Sequence, residues 1–331
     1  ATGDPQRYID GVKNDPDVGE FERNGNVFLP EALQGANLNQ ATASILDAHS
    51  RRTLTPHFGS QVWTSYVGQP AAVLIRVSEA QGFATGAHVV AIIDTGIDPN
   101  HHALKAVLVP GFDFTRNVPG FPSDFADLDQ ATASILDQAT ASILDKDTLK
   151  ILNQSPIVVL NQATASILDT TKVPGSFGHG TMVAGLVHLV APTARLMPLK
   201  AFKADGTSTL FDVLRAIYFA VDNGARVINM SFSLAGSSEE FAHAVSYATE
   251  NNVICVASAG NSGKEVLVYP AALRNVISVA STNNLDVRST FSNFGASLVS
   301  MAAPGEALIT TFPGNHYAAA WGTSFSAPLV A

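Results

Sequence analysis

Between residues 88 and 302, short apolar runs alternate with segments of helical periodicity. The runs have the length of buried strands and lie at residues 88–93, 195–200, 226–230, 253–257, 276–280 and 298–302. Residues 209–223 repeat apolar side chains at helical spacing, and residues 238–250 follow Ser237 with two acids in the first turn. Strands alternating with helices predict a three-layer α/β fold with a mostly parallel central sheet and helices on both faces.

The charge composition argues against two classes of function. The 331-residue chain has 19 Lys and Arg against 28 Asp and Glu, a net charge of −9, and no run rich in cations. Such a chain is not expected to bind nucleic acid or an anionic membrane surface. No stretch reaches the roughly 18–20 apolar residues of a membrane span. Cys255, the only cysteine, lies in an apolar run and is predicted to be an inert core thiol.

An eight-residue repeat interrupts the α/β pattern at residues 130–169. Five octads follow one another, each with Leu at its seventh position and Asp or Asn at its eighth, and a further copy occupies residues 40–47. Eight residues overshoot two helical turns by roughly 80°, whereas an even period keeps each side chain on one face of a strand. The octads therefore predict short strands. They are either an expansion of a tolerant surface loop or a binding element.

Three motifs carry residues suited to nucleophilic catalysis. Asp94 follows an apolar run, His179 lies in Gly-His-Gly-Thr, and Ser324 lies in Gly-Thr-Ser-Phe-Ser-Ala-Pro. Peptide hydrolysis without a metal requires a nucleophile, a base and a group that orients the base. Taken singly, Ser324 could cap a helix, His179 could be a core or surface histidine, and Asp94 could cap a turn. Their combination favours a catalytic triad.

The motifs resemble those of the subtilisin-like serine proteases, whose triad also runs in the order Asp, His, Ser. The resemblance covers residues 66–331 apart from the octads, and further blocks match at residues 227–231, 257–261, 291–295 and 303–305. It implies a subtilisin-like fold and a serine endopeptidase of broad specificity that acts through an acyl-enzyme. It also implies that the protease is a secreted zymogen and that its chemistry requires no cofactor.

The resemblance implies a role for each matching residue. Ser324 would attack the peptide carbonyl, His179 would accept and then donate its proton, and Asp94 would orient His179. Asn261 would bind the oxyanion together with the backbone N–H of Ser324.

The same resemblance implies where a substrate would bind. Extended substrate backbone would pair with Ser231, Phe232 and Ser233. The pocket for the residue before the cut would be roomy and apolar, walled by Ala257, Ser258, Ala259 and Gly260. The Tyr269–Pro270 bond is expected to be cis.

The N-terminal part of the chain suggests its own domain organisation. Residues 1–30 resemble the tail of the family's inhibitory propeptide, which would make this segment an intramolecular inhibitor. Residues 31–65 would be a linker with the maturation site, and residues 66–331 the catalytic domain, with the octads inserted at about 126–172. The other expected partners are protein or peptide substrates. A structural calcium ion is an open expectation, since Asp98, Asp113 and Asp124 lie in one region without an EF-hand-like run.

Other interpretations make different demands on the sequence. A binding protein on a subtilisin scaffold is the main alternative, but a decayed enzyme should have lost a triad residue or Asn261. An α/β-hydrolase requires Gly-x-Ser-x-Gly and the order Ser, acid, His, but here the acid and the His precede the Ser. A metalloprotease requires His-Glu-x-x-His, which the sequence lacks. Since members of the family continue well beyond the serine helix, the C-terminal part of the fold is expected to be missing. Such a fragment is expected to show weak or no activity.

Overall fold

The computed structural model describes residues 24–29, 53–128, 157–159, 174–234 and 236–331. The strands are β1 (Asn26–Phe28), β2 (Leu54–His57), β3 (Ser60–Trp63), β4 (Val89–Asp94), β5 (Gly111–Asp113), β6 (Val118–Gly120), β7 (Ile157–Val159), β8 (Arg195–Lys200), β9 (Thr207–Thr209), β10 (Ala225–Met230), β11 (Ser233–Leu234), β12 (Ile254–Ser258), β13 (Val276–Thr282), β14 (Met301–Pro304), β15 (Leu308–Phe312) and β16 (His316–Ala320). The helices are α1 (Thr64–Val67), α2 (Pro70–Leu74), α3 (Val77–Gln81), α4 (His179–Val190), α5 (Leu210–Asp222), α6 (Glu239–Glu250) and α7 (Thr323–Ser326). Two 3-10 turns cover Asp124–Asp127 and Ala327–Leu329.

A central sheet of eight strands runs through the fold in the order β14-β13-β12-β10-β4-β8-β5-β6. Neighbouring strands are parallel, except that β6 returns antiparallel to β5. In β4, Val90 and Ile92 belong to the buried cluster that includes α4, while Ala91 and Ile93 belong to the cluster that includes α5 and α6. Because both faces of the sheet are covered, the prediction of a three-layer, mostly parallel α/β fold is confirmed.

The predicted strands and helices are present with small shifts at their ends. The last predicted strand, 298–302, begins only at Met301, because Leu298 lies in a turn and donates its N–H to Gly295 O at 3.1 Å. Helix α6 is capped by Ser238, whose hydroxyl accepts a backbone N–H of the first turn, and not by Ser237 as predicted. Among the described residues, none of the helices has both the length and the apolar character needed to cross a membrane.

Two expectations about individual residues are confirmed. Cys255 is fully buried in the sheet, and burial raises the pKa of its thiol to about 12, so the thiol stays protonated and inert. The Tyr269–Pro270 peptide bond is cis.

One strand is described within the octad region. Strand β7 belongs to the octad QSPIVVLN and pairs antiparallel with β16, with Ile157 opposite Ala320 and Val159 opposite Ala318. For this octad, the extended conformation agrees with the even period of the repeat. The remaining predicted octad strands, and the copy at residues 40–47, lie outside the described residues.

The described part of residues 31–65 begins at Thr53 and folds onto the core. Strands β2 and β3 form a hairpin, and Tyr66 in the next helix is fully buried. The Tyr66 hydroxyl donates to Gly185 O in α4 at 2.6 Å. Gln69 donates to Ile309 O at 2.7 Å and accepts from Ile309 N–H at 2.9 Å. The Tyr66 bond ties this segment to α4, the helix that starts at His179, and the Gln69 bonds tie it to β15.

Candidate active site

Asp94 and His179 meet at the carboxyl edge of the central sheet. Asp94 is the last residue of β4, His179 is the first residue of α4, and both are fully buried. His179 Nδ1 lies 2.8 Å from Asp94 Oδ1 and 2.9 Å from Oδ2. The Thr95 N–H also donates to Oδ1 at 2.8 Å. A carboxylate in this position favours a proton on Nδ1, which leaves Nε2 as the basic nitrogen.

Ser324 lies on α7, beside the same edge. The Phe325 ring packs against the His179 ring with centroids 5.1 Å apart. Ser324 Oγ donates to Ser231 O at 3.2 Å, and Ser231 Oγ donates to Ser324 O at 2.8 Å. Gly322 has φ +143, a conformation that L side chains rarely adopt, so glycine suits the entry to this helix. The structure thus brings α7 against the Asp94–His179 pair.

Asn261 lies directly beside α7. Its Oδ1 accepts hydrogen bonds from Thr323 N–H at 2.9 Å and from the Thr323 hydroxyl at 2.8 Å. Two donors on the oxygen fix the orientation of the amide, which turns its NH₂ group away from Thr323. Sequence reasoning named Asn261 but missed Thr323, although Thr323 lies within the Gly-Thr-Ser motif.

The residues predicted to wall the substrate pocket lie at the end of β12, and those predicted to pair with substrate lie just before and in β11. Ala257, Ser258, Ala259 and Gly260 lie at and beyond the end of β12, and all are buried. Gly260 N–H donates to the Thr323 hydroxyl at 3.0 Å, which ties this segment to α7. The Phe232 side chain lies in the core, against Phe202 and Phe241, so only its backbone can take part in an edge. Ser233 belongs to β11 and forms ladder pairs.

Strand β1 lies between β9 and β11 and completes a three-stranded sheet with them. It runs antiparallel to both, with Phe28 opposite Ser233 and Val27 opposite Ser208. Leu29 extends the pairing by donating its N–H to Gly206 O at 3.1 Å. The sequence did not reveal β9, because three polar residues before a helix carry no alternating apolar pattern.

Asp124 is a second buried carboxylate near the Asp94–His179 pair. Burial raises the pKa of Asp124 to about 7, although hydrogen bonds from two threonines and the charge of Lys200 oppose the shift. It lies in the 3-10 turn Asp124–Asp127. The neighbouring Asp127 accepts a hydrogen bond from the buried Lys200 ammonium at 2.6 Å.

The three carboxylates considered for calcium do not form one cluster. Each accepts hydrogen bonds from donors of the protein: Asp98 from Asn100 N–H and Gly314 N–H, Asp113 from Thr115 and Arg116, and Asp124 from Thr95 and Thr181. Within the described ranges, no three His, Cys, Asp or Glu residues are arranged to hold a metal ion. Asp98, Asp113 and Asp124 therefore do not fit a shared calcium site.

Comparison with known proteins identifies a family and several relatives for this chain. The Subtilase family profile matches residues 86–331. A thermophilic serine proteinase of Bacillus sp. (strain AK1) is 31% identical over 242 residues, which are 73% of this chain and 50% of that protein. Thermitase of Thermoactinomyces vulgaris is 30% identical over 268 residues, 78% of this chain and 77% of that protein. A crystal structure of a cold-adapted subtilisin-like serine proteinase matches with a TM-score of 0.55 at 24% identity, covering 75% of this chain and 74% of that one.

The coverage and the sequence identity of each match determine whether it supports the fold or the family of this chain. This chain spans half the length of the Bacillus proteinase, and the structural likeness at 24% identity supports the fold alone. The family match, in contrast, covers most of the chain, including all three motif residues. The chain therefore belongs to the subtilase family of serine proteases.

Proposed function

We propose that this chain is a serine endopeptidase whose triad is Ser324, His179 and Asp94. The observation that carries the proposal is the contact of both Asp94 oxygens with His179 Nδ1, within 2.9 Å, beside the helix that bears Ser324. His179 Nε2 would take the Oγ proton as Oγ bonds to the substrate carbonyl carbon. That proton would pass to the leaving amine as the C–N bond breaks, which leaves an acyl-enzyme. Water, losing a proton to His179, would then hydrolyse the ester and restore Ser324.

Asn261 would stabilise the negative charge that develops on the carbonyl oxygen. Because Oδ1 is held by Thr323, the NH₂ group is the end of the amide suited to face that oxygen, alongside the Ser324 N–H. Donors held in place before the reaction need no reorganisation as the charge develops.

Extended peptides are the proposed substrates. Strand β1 supports this, since an extended segment already pairs with the edges that contain Ser233 and Ser208. Strand addition relies on backbone hydrogen bonds and therefore tolerates many sequences. The small residues at 257–260 favour broad specificity with a preference for large apolar side chains before the cut. Secretion is proposed from the family likeness.

Labelling with a fluorophosphonate probe tests the proposed nucleophile. Labelling of the parent chain, even if slow, should be lost in Ser324→Ala, because only an activated serine reacts with the probe. Ser326→Ala is the matched control, since Ser326 is a buried serine two residues further on and should leave labelling intact. A folded parent chain that takes up no label would favour a binding-only protein on a subtilisin scaffold.

We also propose that residues 24–29 act as an intramolecular inhibitor, the tail of a propeptide. Val27 and Leu29 are fully buried and belong to the same core cluster as α5 and α6. While β1 holds the edges of β9 and β11, an added peptide cannot pair with them. A tethered competitor acts at a high effective concentration, about millimolar for a short flexible linker.

Val27→Asp is expected to raise the rate of hydrolysis of an added peptide by about tenfold or more, since burying an unpaired charge is costly and should displace β1. Asn26→Asp adds the same charge to an exposed side chain of the same strand and should leave the rate unchanged. The measurement is the initial rate with a chromogenic peptide long enough to pair with both edges. If Val27→Asp were no faster than the parent chain, β1 would not compete with substrate.

A further inference from the structure

The fully buried carboxylate of Asp124 links the end of β4 to the start of α4. The Thr95 hydroxyl donates to Asp124 Oδ1 at 2.5 Å, and the Thr181 hydroxyl donates to Oδ2. Thr181 N–H approaches the same Oδ2 at 3.3 Å. Thr95 follows Asp94 and Thr181 lies two residues after His179, so one carboxylate contacts the segments on both sides of the Asp94–His179 pair.

The direction of each hydrogen bond follows from the single proton of a hydroxyl. Thr95 donates its proton to Asp124, so its lone pair can accept Gly180 N–H at 2.9 Å. Thr181 likewise donates to Asp124 and accepts Asp98 N–H at 2.8 Å. An ionised carboxylate only accepts hydrogen bonds and therefore orders both hydroxyls at once. A neutral amide in its place would present a donor to one of them and disturb this arrangement.

A purely stabilising role does not account for this carboxylate. Its folded-state pKa of about 7 lies above the ordinary value of 3.8. Its contribution to stability is therefore fully present below about pH 4 and is lost as the pH rises through about 7. Lys200, the nearby cation, donates instead to Asp127, Thr95 O and Phe202 O. At pH 8, ionised Asp124 thus weakens the fold while it orders the two threonines.

We propose that Asp124 is a positioning residue of the triad, holding the turn after Asp94 against the first turn of α4 through Thr95 and Thr181. The proposal rests on the proposed function of the triad. Asp124 does not touch substrate, and its effect reaches His179 through these hydrogen bonds and through its charge. The turn that carries it is anchored by Asp127, which bonds to Lys200 and to Ala204 N–H. The octads begin three residues after Asp127.

The first test compares Asp124→Asn with the parent chain at pH 8. We expect kcat to fall about 10-fold to 100-fold with little change in KM, since small displacements of catalytic groups are costly. The melting temperature should change little, because removing a buried charge offsets the hydrogen bonds that are lost. The acid limb of the pH profile of kcat should change, because Asp124, whose pKa is about 7, no longer gains or loses a charge within that limb. An unchanged kcat and an unchanged pH profile would overturn the proposal.

Thr95 provides matched variants that separate positioning from folding. Thr95→Ser keeps the hydroxyl and should retain the parent rate. The isosteric Thr95→Val also removes the acceptor of Gly180 N–H and should lose at least as much as Asp124→Asn. Combining Thr95→Val with Asp124→Asn should cost little more than either change alone, because both break the same link. Additive losses would contradict the route through Thr95.

An NMR titration of the His179 ring tests the role of Asp124 without relying on hydrolysis, so failure of this inference can be told apart from failure of the proposed function. A parent chain that hydrolyses nothing would overturn the proposed function. In that case the His179 titration should still differ between the parent chain and Asp124→Asn, because Asp124 ionises near pH 7 in the parent and not in the variant. Coincident titrations of parent and variant would overturn the inference without reference to hydrolysis.

Discussion

Asp94→Asn is expected to slow peptide hydrolysis by about 10⁴-fold while leaving the protein folded. Thr95 N–H donates to Oδ1 at 2.8 Å, so the amide oxygen of the variant should occupy that position. The NH₂ group would then take the place of Oδ2, which lies 2.9 Å from His179 Nδ1. Although the amide oxygen would still lie 2.8 Å from Nδ1, a donor at the Oδ2 position opposes the ring N–H and favours the tautomer with its proton on Nε2. A protonated Nε2 cannot accept the proton of Ser324.

The measurement is kcat/KM with a peptide substrate, together with the melting temperature of each variant. Asp286→Asn is a suitable control, because Asp286 is exposed and its φ of +58 suits Asn as well as Asp. The control should match the parent chain in both measurements. A retained rate in Asp94→Asn would show that His179 does not depend on Asp94 for its tautomer.

Gly180→Ala is expected to lower kcat by about 100-fold or more, since a shift near 1 Å is enough for such a loss. A Cβ at position 180 would lie 2.1 Å from Gly96 O and 3.2 Å from Asp94 Cβ. The close neighbour is backbone, so the first turn of α4 must move away from β4 and carry His179 with it. Overpacking of this kind also costs about 1–3 kcal/mol of stability.

A loss of stability in Gly180→Ala would be informative, because its sign is opposite to the change expected for Gly to Ala in an unhindered helix. In a helix without a clash, Ala is more favourable than Gly by up to about 1 kcal/mol. Gly175→Ala serves as the control, because nothing lies within 4 Å of a Cβ built at Gly175. Both variants are compared by thermal melting and by hydrolysis rate. A Gly180→Ala protein that is stable and active would mean that α4 and β4 are less closely packed than the structure indicates.

Local sequence patterns predicted the elements of the fold well and their distant contacts poorly. The apolar run before Asp94 and the helical period of residues 209–223 predicted β4 and α5, because burial in a layered fold imposes such periods. The motif around Asn261 predicted a residue near Ser324, and the structure places it against the neighbouring Thr323. The catalytic roles of these residues remain predictions.

Asp124 shows why the rest could not be predicted. Its partners Thr95 and Thr181 are 29 and 57 residues away in the chain. In the sequence, Asp124 is one of three acidic residues in the same region, and this suggested a calcium ligand instead. Strand β1 is three residues long, and its pairing with β9 and β11 depends on segments about 180 and 205 residues further along the chain. Such pairing is decided by tertiary contacts that leave no local period in the sequence.

Strand β1 also affects how copies of this protein meet one another. Strands β9 and β11 each present a backbone edge to it, and an open edge is a ready template for pairing with another chain. The three residues of β1 pair with the edges of both β9 and β11. We expect a chain that keeps this segment in place to resist strand exchange and aggregation better than one that has lost it, so β1 also serves solubility during storage.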